Sequence, residues 1–245
     1  MDHIACINGV LMTIVESGKA TLERAILEYY AGNFQDAKKM FEELARKGDS
    51  GAQLFLGRMF YHGRGEDKDY TQAVHWIDKS ANNGNLKAQT LLGICYRDGK
   101  GVDKSYNRAR IWFQSAAGKG EPQAISCLAY CYCHGYGVTQ NYKKALDLMK
   151  EAAEYGNAWA IGSIATYYEN GIIVKQDLVE AFKLYEEAAD LGDVYSIFST
   201  GRFLLQGWGV DEDIERGKSR VRQAAELGSP EALNLLEKFP ELFRE

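Results

Sequence analysis

Gly51 to Asn85, GAQLFLGRMFYHGRGEDKDYTQAVHWIDKSANNGN, is written five times over in this chain, and the segments on either side are ends to that row. The repetition is arithmetic. Small residues stand at Ala52, Ala88, Ala124, Ala160 and Ser196, each 36 positions after the last. A second column, Ala37, Ala73, Ala109, Ala145, Ala181 and Gly217, keeps the same step, as does a third, Gly48, Gly84, Gly120, Gly156, Gly192 and Gly228. A period between about 20 and 50 residues marks a solenoid or array, in which each unit buries its apolar face only against its neighbours.

Each unit reads as two helices. Ala52, Leu56, Gly57 and Phe60 draw one apolar stripe along the first, and Tyr70, Ala73, Trp76, Ile77, Ser80 and Ala81 do so along the second. Asp49, Asn85, Glu121, Asn157, Asp193 and Ser229 precede the first helices, with Glu121 the poor cap of that column. Pro122 and Pro230 follow two of them, where proline's missing N–H is harmless. The second helices open at Asp69, Ser105, Asn141, Asp177 and Asp213 and close at the glycine column. Between the two helices lies a glycine-bearing loop, HGRGE, DGKGV, HGYGV, NGIIV and QGWGV. In the fourth copy Ile173 replaces the second glycine, so that loop is expected to bend differently.

The pattern A-x3-LG-x2-Y-x2-G-x-GV followed by D-Y-x2-A-x2-W-x3-AA-x2-G resembles the Sel-like repeat (SLR) branch of the tetratricopeptide superfamily, over residues 50 to 228. The expected fold is therefore all-α, an α/α superhelical solenoid of antiparallel helix pairs with a 36-residue period and helical caps. Residues 1–19 form an amino-terminal capping helix in this reading, with the helix itself over Ile4 to Ser17, and residues 20–48, with a shorter inter-helix turn, form a tetratricopeptide-like pair. Residues 49–228 are five SEL-like repeats, and residues 229–245 a carboxyl-terminal cap stopped by Phe239 and Pro240. Some relatives are secreted and staple each repeat with a disulfide; most copies here have no cysteine pair for that.

The bulk numbers narrow the function. A hydrophobic share of 46% with only three prolines suits packed helices and excludes a disordered chain. A net charge of −5 argues against a nucleic-acid partner. The charge is uneven: residues 1 to 150 carry 20 Lys and Arg against 16 Asp and Glu, and residues 151 to 245 carry 9 against 18, so the two ends prefer different partner surfaces. The apolar run from Ile4 to Val15 is too short to span a bilayer and lacks a basic flank, so neither membrane insertion nor export is expected. Five cysteines, an odd count without an export signal, point to reduced thiols and a cytoplasmic location.

Turning 100° per residue around the first helix, Ala52, Gln53, Leu56, Gly57 and Phe60 fall on a packing side, and Gly51, Leu54, Arg58, Tyr61 and His62 fall opposite. The small column Gly57, Gly93, Ala129, Ala165 and Gly201 lets the second helix approach. On the opposite side the copies stop agreeing and are rich in Tyr, Trp and Arg, the side chains that anchor interfaces. The resemblance implies that first helices line the concave surface of the superhelix. The expected partner-binding residues there are Arg58, Tyr61, Arg97, Tyr130, Cys133, Trp159, Tyr195 and Arg202.

Other chemistries fit less well. Cys127, Cys131, Cys133 and His134 share one helix, but Cys133 points about 160° away from Cys131, so they do not converge on a metal. Cys95, Cys127 and Cys131 are expected in inter-helix packing, with Cys133 alone accessible. The column His62, Asp98, His134, Asn170 and Gln206 sits at helix ends, where polar residues solvate free carbonyls. It would suggest an enzyme only if Asp98 and His134 met in a closed pocket. GKGVDKS, from Gly99, lacks the Gly-Lys-Ser/Thr run and preceding strand of a phosphate loop.

No cofactor or metal is expected. The resemblance implies a non-enzymatic scaffold or adaptor for a protein or peptide partner, of the kind that serves bacterial signalling, host interaction and quality control. An alternative is a cytosolic immunity protein that neutralises a bacterial toxin or effector by covering its active site. The expected oligomeric state is a monomer or weak homodimer.

Overall fold

The computed structural model describes residues 21–243. The expected helix over Ile4 to Ser17 lies outside them. Among the described residues there are thirteen α-helices, one short 3-10 turn and no strand. The chain divides into two compact units, Met1–Glu121 and Pro122–Glu245, at a boundary between repeats.

In the amino-terminal unit α1 (Leu22–Tyr30) pairs with α2 (Phe34–Arg46), α3 (Ser50–His62) with α4 (Tyr70–Asn82), and α5 (Leu86–Asp98) with α6 (Tyr106–Ala117). In the carboxyl-terminal unit the pairs are α7 (Pro122–His134) with α8 (Tyr142–Glu154), α9 (Ala158–Asn170) with α10 (Leu178–Asp190), and α11 (Val194–Gln206) with α12 (Ile214–Glu226). A single helix α13 (Pro230–Lys238) and a turn at Pro240–Phe243 follow. The fold is thus all-α and of the helix-pair solenoid class.

The boundaries have local causes. Asp49, Asn85, Asn157 and Asp193 each accept the N–H of the third residue on, at 2.7, 3.1, 2.9 and 2.8 Å, which satisfies one of the free donors of a helix start. Asp69, Ser105, Asn141, Asp177 and Asp213 do the same for the second helices. Glu121, the odd member of the first column, is buried, and its carboxylate accepts the Thr90 hydroxyl at 2.9 Å. At the other end of α2, Gly48 takes φ 92 so that its N–H reaches Ala45 and the Asp49 N–H reaches Leu44, both at 3.1 Å.

The first and second helices of a pair touch through the small column. A Cβ added at Gly93 would stand 2.5 Å from the Phe113 ring, and one at Gly57 2.6 Å from Ile77, closer than real atoms come. The glycines are therefore what let Phe113 and Ile77 pack with no solvent exposure. Each such side chain contributes roughly 1.5–3 kcal/mol of burial. The cores that result run from one pair to the next. One joins Ala25, Phe41 and Leu56 of α1, α2 and α3, and another joins Ile77 of α4 to Leu92 of α5. In the carboxyl-terminal unit, Phe182 and Tyr185 of α10 share a core with Phe203 and Leu204 of α11.

The fourth loop corrects an expectation. Ile173 takes φ 53, the left-handed region that Gly101, Gly137 and Gly209 occupy at 72, 68 and 66 in the other copies, and it is the only non-glycine to do so among the described residues. The flanking helices dictate the path of the loop, and the isoleucine follows it at a backbone cost of about 1–2 kcal/mol. Its side chain escapes to solvent, 52% exposed.

Candidate partner-binding surface

Burial divides the outer side of the first helices into two strips, where the helix wheel alone gives one. Leu54 and the residues in its column, Thr90, Ser126, Gly162 and Phe198, are all buried rather than facing out. The reason is that each first helix packs sideways on a neighbouring repeat as well as inward on its own second helix. What stays outermost is the column set of Gly51, Phe55, Arg58 and His62, half-buried or exposed in every copy except at Ser199.

The Tyr61 column lies at the edge of that buried strip and joins successive repeats. Tyr61 accepts from Lys100 Nζ at 3.0 Å and meets the Tyr70 ring edge-on at 5.2 Å. The Cys133 thiol lies 3.0 Å from the Tyr167 hydroxyl. Glu169 pairs with Arg202 at 2.8 Å and accepts the Tyr185 hydroxyl at 2.7 Å, while Thr166 Oγ1 stands 2.9 Å from that same hydroxyl. Burial chiefly, with the Glu169 carboxylate adding to it, holds the Tyr185 phenol far above the ordinary tyrosine range, so it stays a donor. Arg97, in the same column, binds Asp98 through two nitrogens at 2.7 and 3.1 Å. Tyr61, Arg97 and Cys133 thus sit among fixed neighbours of the seam; Arg58, Tyr130, Trp159, Tyr195 and Arg202 stand on the outermost strip, with Arg202 tied to the seam through Glu169.

On that strip the structure gathers rings in the carboxyl-terminal unit. Tyr130 of α7 meets Trp159 of α9 edge to face, with centroids 6.0 Å apart. His134 lies 4.0 Å from Tyr130 and stacks on Tyr136 at 5.4 Å, and its Nδ1 is 3.0 Å from the Tyr130 carbonyl. Tyr195, 41% exposed, leans on Tyr185, and Arg202 lies 5.3 Å from the Trp208 centroid. In the amino-terminal unit Arg58 rests over Phe55 at 5.9 Å. Tyr136, Arg64, Lys100 and Trp208 are additions the helix wheel missed. The residue between the two loop glycines, which differs in every copy, was the signal for them.

The cysteines partly follow expectation. Cys95 and Cys131 are buried, and burial pushes the Cys95 thiol up to about 11. Cys127 is instead half-buried on the outermost strip, in the Phe55 column, and Cys133 is half-buried as well. Burial raises the Cys133 thiol, against its hydrogen bond with the Tyr167 hydroxyl. Among the described residues no group of three or more His, Cys, Asp and Glu is placed to hold a metal ion. Asp98 is held below the usual carboxylate range, chiefly by its bond to Arg97, and His134 is engaged by its two aromatic neighbours. Among the described residues no helix is long and apolar enough to cross a membrane.

The family profile described as Sel1 repeat matches five consecutive stretches, residues 50–85, 86–121, 122–157, 159–193 and 194–229. A Sel1 repeat protein from Oxalobacter formigenes is similar in structure, with a TM-score of 0.81, 30% identity, and 89% of each chain covered. A protective antigen present in uropathogenic Escherichia coli strains, displaying an SLR fold, matches with a TM-score of 0.74 and 30% identity over 94% of this chain and 51% of that one. The present chain therefore spans about half of that antigen. An immunity protein from Pseudomonas aeruginosa shares the fold, with a TM-score of 0.60 and 17% identity over 86% of this chain and 85% of that one. No curated protein matches the chain.

Proposed function

The chain belongs to the Sel1 repeat family, and we propose that it is a non-enzymatic scaffold holding a protein or peptide partner against the outermost strip of its first helices. The observation that carries this reading is the pairing of Tyr130 with Trp159, two large rings held edge to face while half-buried. Rings already fixed by neighbours lose little side-chain freedom when covered, and Tyr, Trp and Arg are the residues that dominate binding energies. In the carboxyl-terminal unit Tyr195 and Arg202 continue the strip on α11, and in the amino-terminal unit Arg58 stands on that unit's own strip, on α3. Tyr61, Arg97 and Cys133 support it from the seam between repeats.

The test is capture from the native cell with wild-type protein and with a Tyr130→Ala, Trp159→Ala double variant whose helicity is checked by circular dichroism. A partner retained by the wild type should bind the double variant about 100-fold more weakly or worse, the loss of a pair of hot-spot residues. Equal retention by both would overturn the assignment of the surface. The narrower immunity role uses the same surface and has its own signature: a single toxic effector is captured, and its activity falls when the wild type, but not the double variant, is added.

A further inference from the structure

His62 closes α3 at the rim of the amino-terminal unit. Burial, then Arg58, Arg64, Lys68 and Lys100, hold its imidazole below the usual histidine range, so four cations act on one point of an acidic chain. None of the four makes an ion pair among the described residues. Three rest on aromatic rings instead. Arg58 is 5.9 Å from the Phe55 centroid, Arg64 is 5.0 Å from Tyr29 and 5.9 Å from Phe34, and Lys100 is 5.0 Å from Tyr61 and 5.6 Å from Tyr70. Arg64 also donates to the Tyr29 hydroxyl at 2.7 Å and Lys100 to the Tyr61 hydroxyl at 3.0 Å. An aromatic seat fixes a cation without neutralising it.

The carboxylates of the same loops are committed elsewhere. Glu66 pairs with Lys38 at 2.7 Å, Asp98 pairs with Arg97 at 2.7 Å although its charge also reaches Lys100, and Asp69 caps α4. Asp67 and Asp103 remain, both exposed. The scaffold does not ask for these cations. The column of Arg64 and Lys100 continues as Tyr136, Ile172 and Trp208, and that of Lys68 and Lys104 as Gln140, Gln176 and Glu212.

We propose that this rim binds an acidic segment of the partner, a run of Asp and Glu side chains, with Arg58, Arg64, Lys68 and Lys100 as its counter-charges. The proposal rests on reading the first-helix strip as a docking surface and names the chemistry of what docks beside it. A protein segment fits better than a nucleic acid, because the whole chain carries −5 and would repel an extended polyanion.

Fluorescein-labelled octaglutamate, octaglutamine and a single-stranded oligonucleotide of matched charge serve as probes for the full chain, read by fluorescence anisotropy. Octaglutamate should bind selectively and weaken as salt is raised. An Arg64→Gln, Lys100→Gln double variant should weaken it about tenfold or more, as expected when charge-assisted hydrogen bonds are lost. Because those two cations also pack on rings, Lys68→Glu, at an exposed position with no aromatic seat, is the second variant and should weaken binding with unchanged melting. Binding should also raise the pKa of His62, followed by its imidazole proton resonances. Octaglutamine binding equally well, the oligonucleotide binding more tightly, or both variants binding octaglutamate like the wild type would each overturn the proposal. Any of these leaves the Tyr130 and Trp159 test standing, since that one uses a captured partner and the other unit.

Discussion

One residue beyond the small column Ala52, the amino-terminal unit buries glutamine, Gln53 and Gln89, where the carboxyl-terminal unit buries isoleucine, Ile125, Ile161 and Ile197. Gln53 and Gln89 each donate to the carbonyl at the end of the preceding second helix, Ala45 and Ala81, at 3.1 Å. They also accept from the pair's own second helix, from Asn83 at 3.0 Å and Ser115 at 3.1 Å. The isoleucines fill the same column with apolar bulk alone. The rims divide in the same way: Arg64 and Lys100 in the first unit, Tyr136, Ile172 and Trp208 in the second. The helix lattice thus determines where a side chain stands, and each unit uses a different force there, directed hydrogen bonds and charge in one, burial and ring contact in the other.

The contrast between the seams makes the largest prediction. Ile161→Ala should lower unfolding stability by about 2–5 kcal/mol, because it removes buried volume that the helices cannot close over. Gln89→Ala should cost less, about 1–3 kcal/mol, for hydrogen bonds whose partners are left short. Urea unfolding of both would break the comparison if glutamine proved the costlier loss. A smaller effect separates the fourth loop from its fellows. Ile173→Gly should raise stability by about 1 kcal/mol, since glycine takes positive φ without the Cβ strain but leaves a freer unfolded chain. An unchanged or lower melting temperature would mean that the loop carries no such strain.

The smallest effect belongs to the basic rim. Because the folded pKa of His62 is lowered, by burial first and then by its cationic neighbours, the folded protein takes up that proton less readily than the unfolded chain. The stability it permits is whole above the unfolded histidine value of about 6.5 and is lost as pH falls through the folded one. Wild type should therefore lose slightly more stability between neutral and mildly acidic pH than His62→Gln does. Identical pH profiles would show that folding does not lower the pKa of His62.

Much of the fold was legible because it rests on local chemistry. Asp49, Asn85, Asp69 and Asn141 cap helices through bonds that span two or three residues, and Gly57 and Gly93 declare close contact simply by being small within an apolar stripe. The candidate surface was legible only in part. Arg58, Tyr130, Trp159, Tyr195 and Arg202 stand where a helix wheel puts them, but the wheel sees one helix and not the neighbouring repeat. It therefore left Leu54 facing out, though it is buried, and left Tyr61 and Cys133 without the Lys100 and Tyr167 that engage them. Ile173 failed for a related reason: residue preference forbade a backbone angle that two packed helices imposed.

The sequence alone determined the repeat, the helix boundaries and the family, because periodicity, caps and small-residue contacts are written within a few tens of residues. Tertiary structure decided which outward residues stay open and which charges go unpaired. Arg64 meets Tyr29 and Lys100 meets Tyr61, residues 35 and 39 positions apart in the chain, only when successive repeats are brought side by side, and no local pattern encodes that contact.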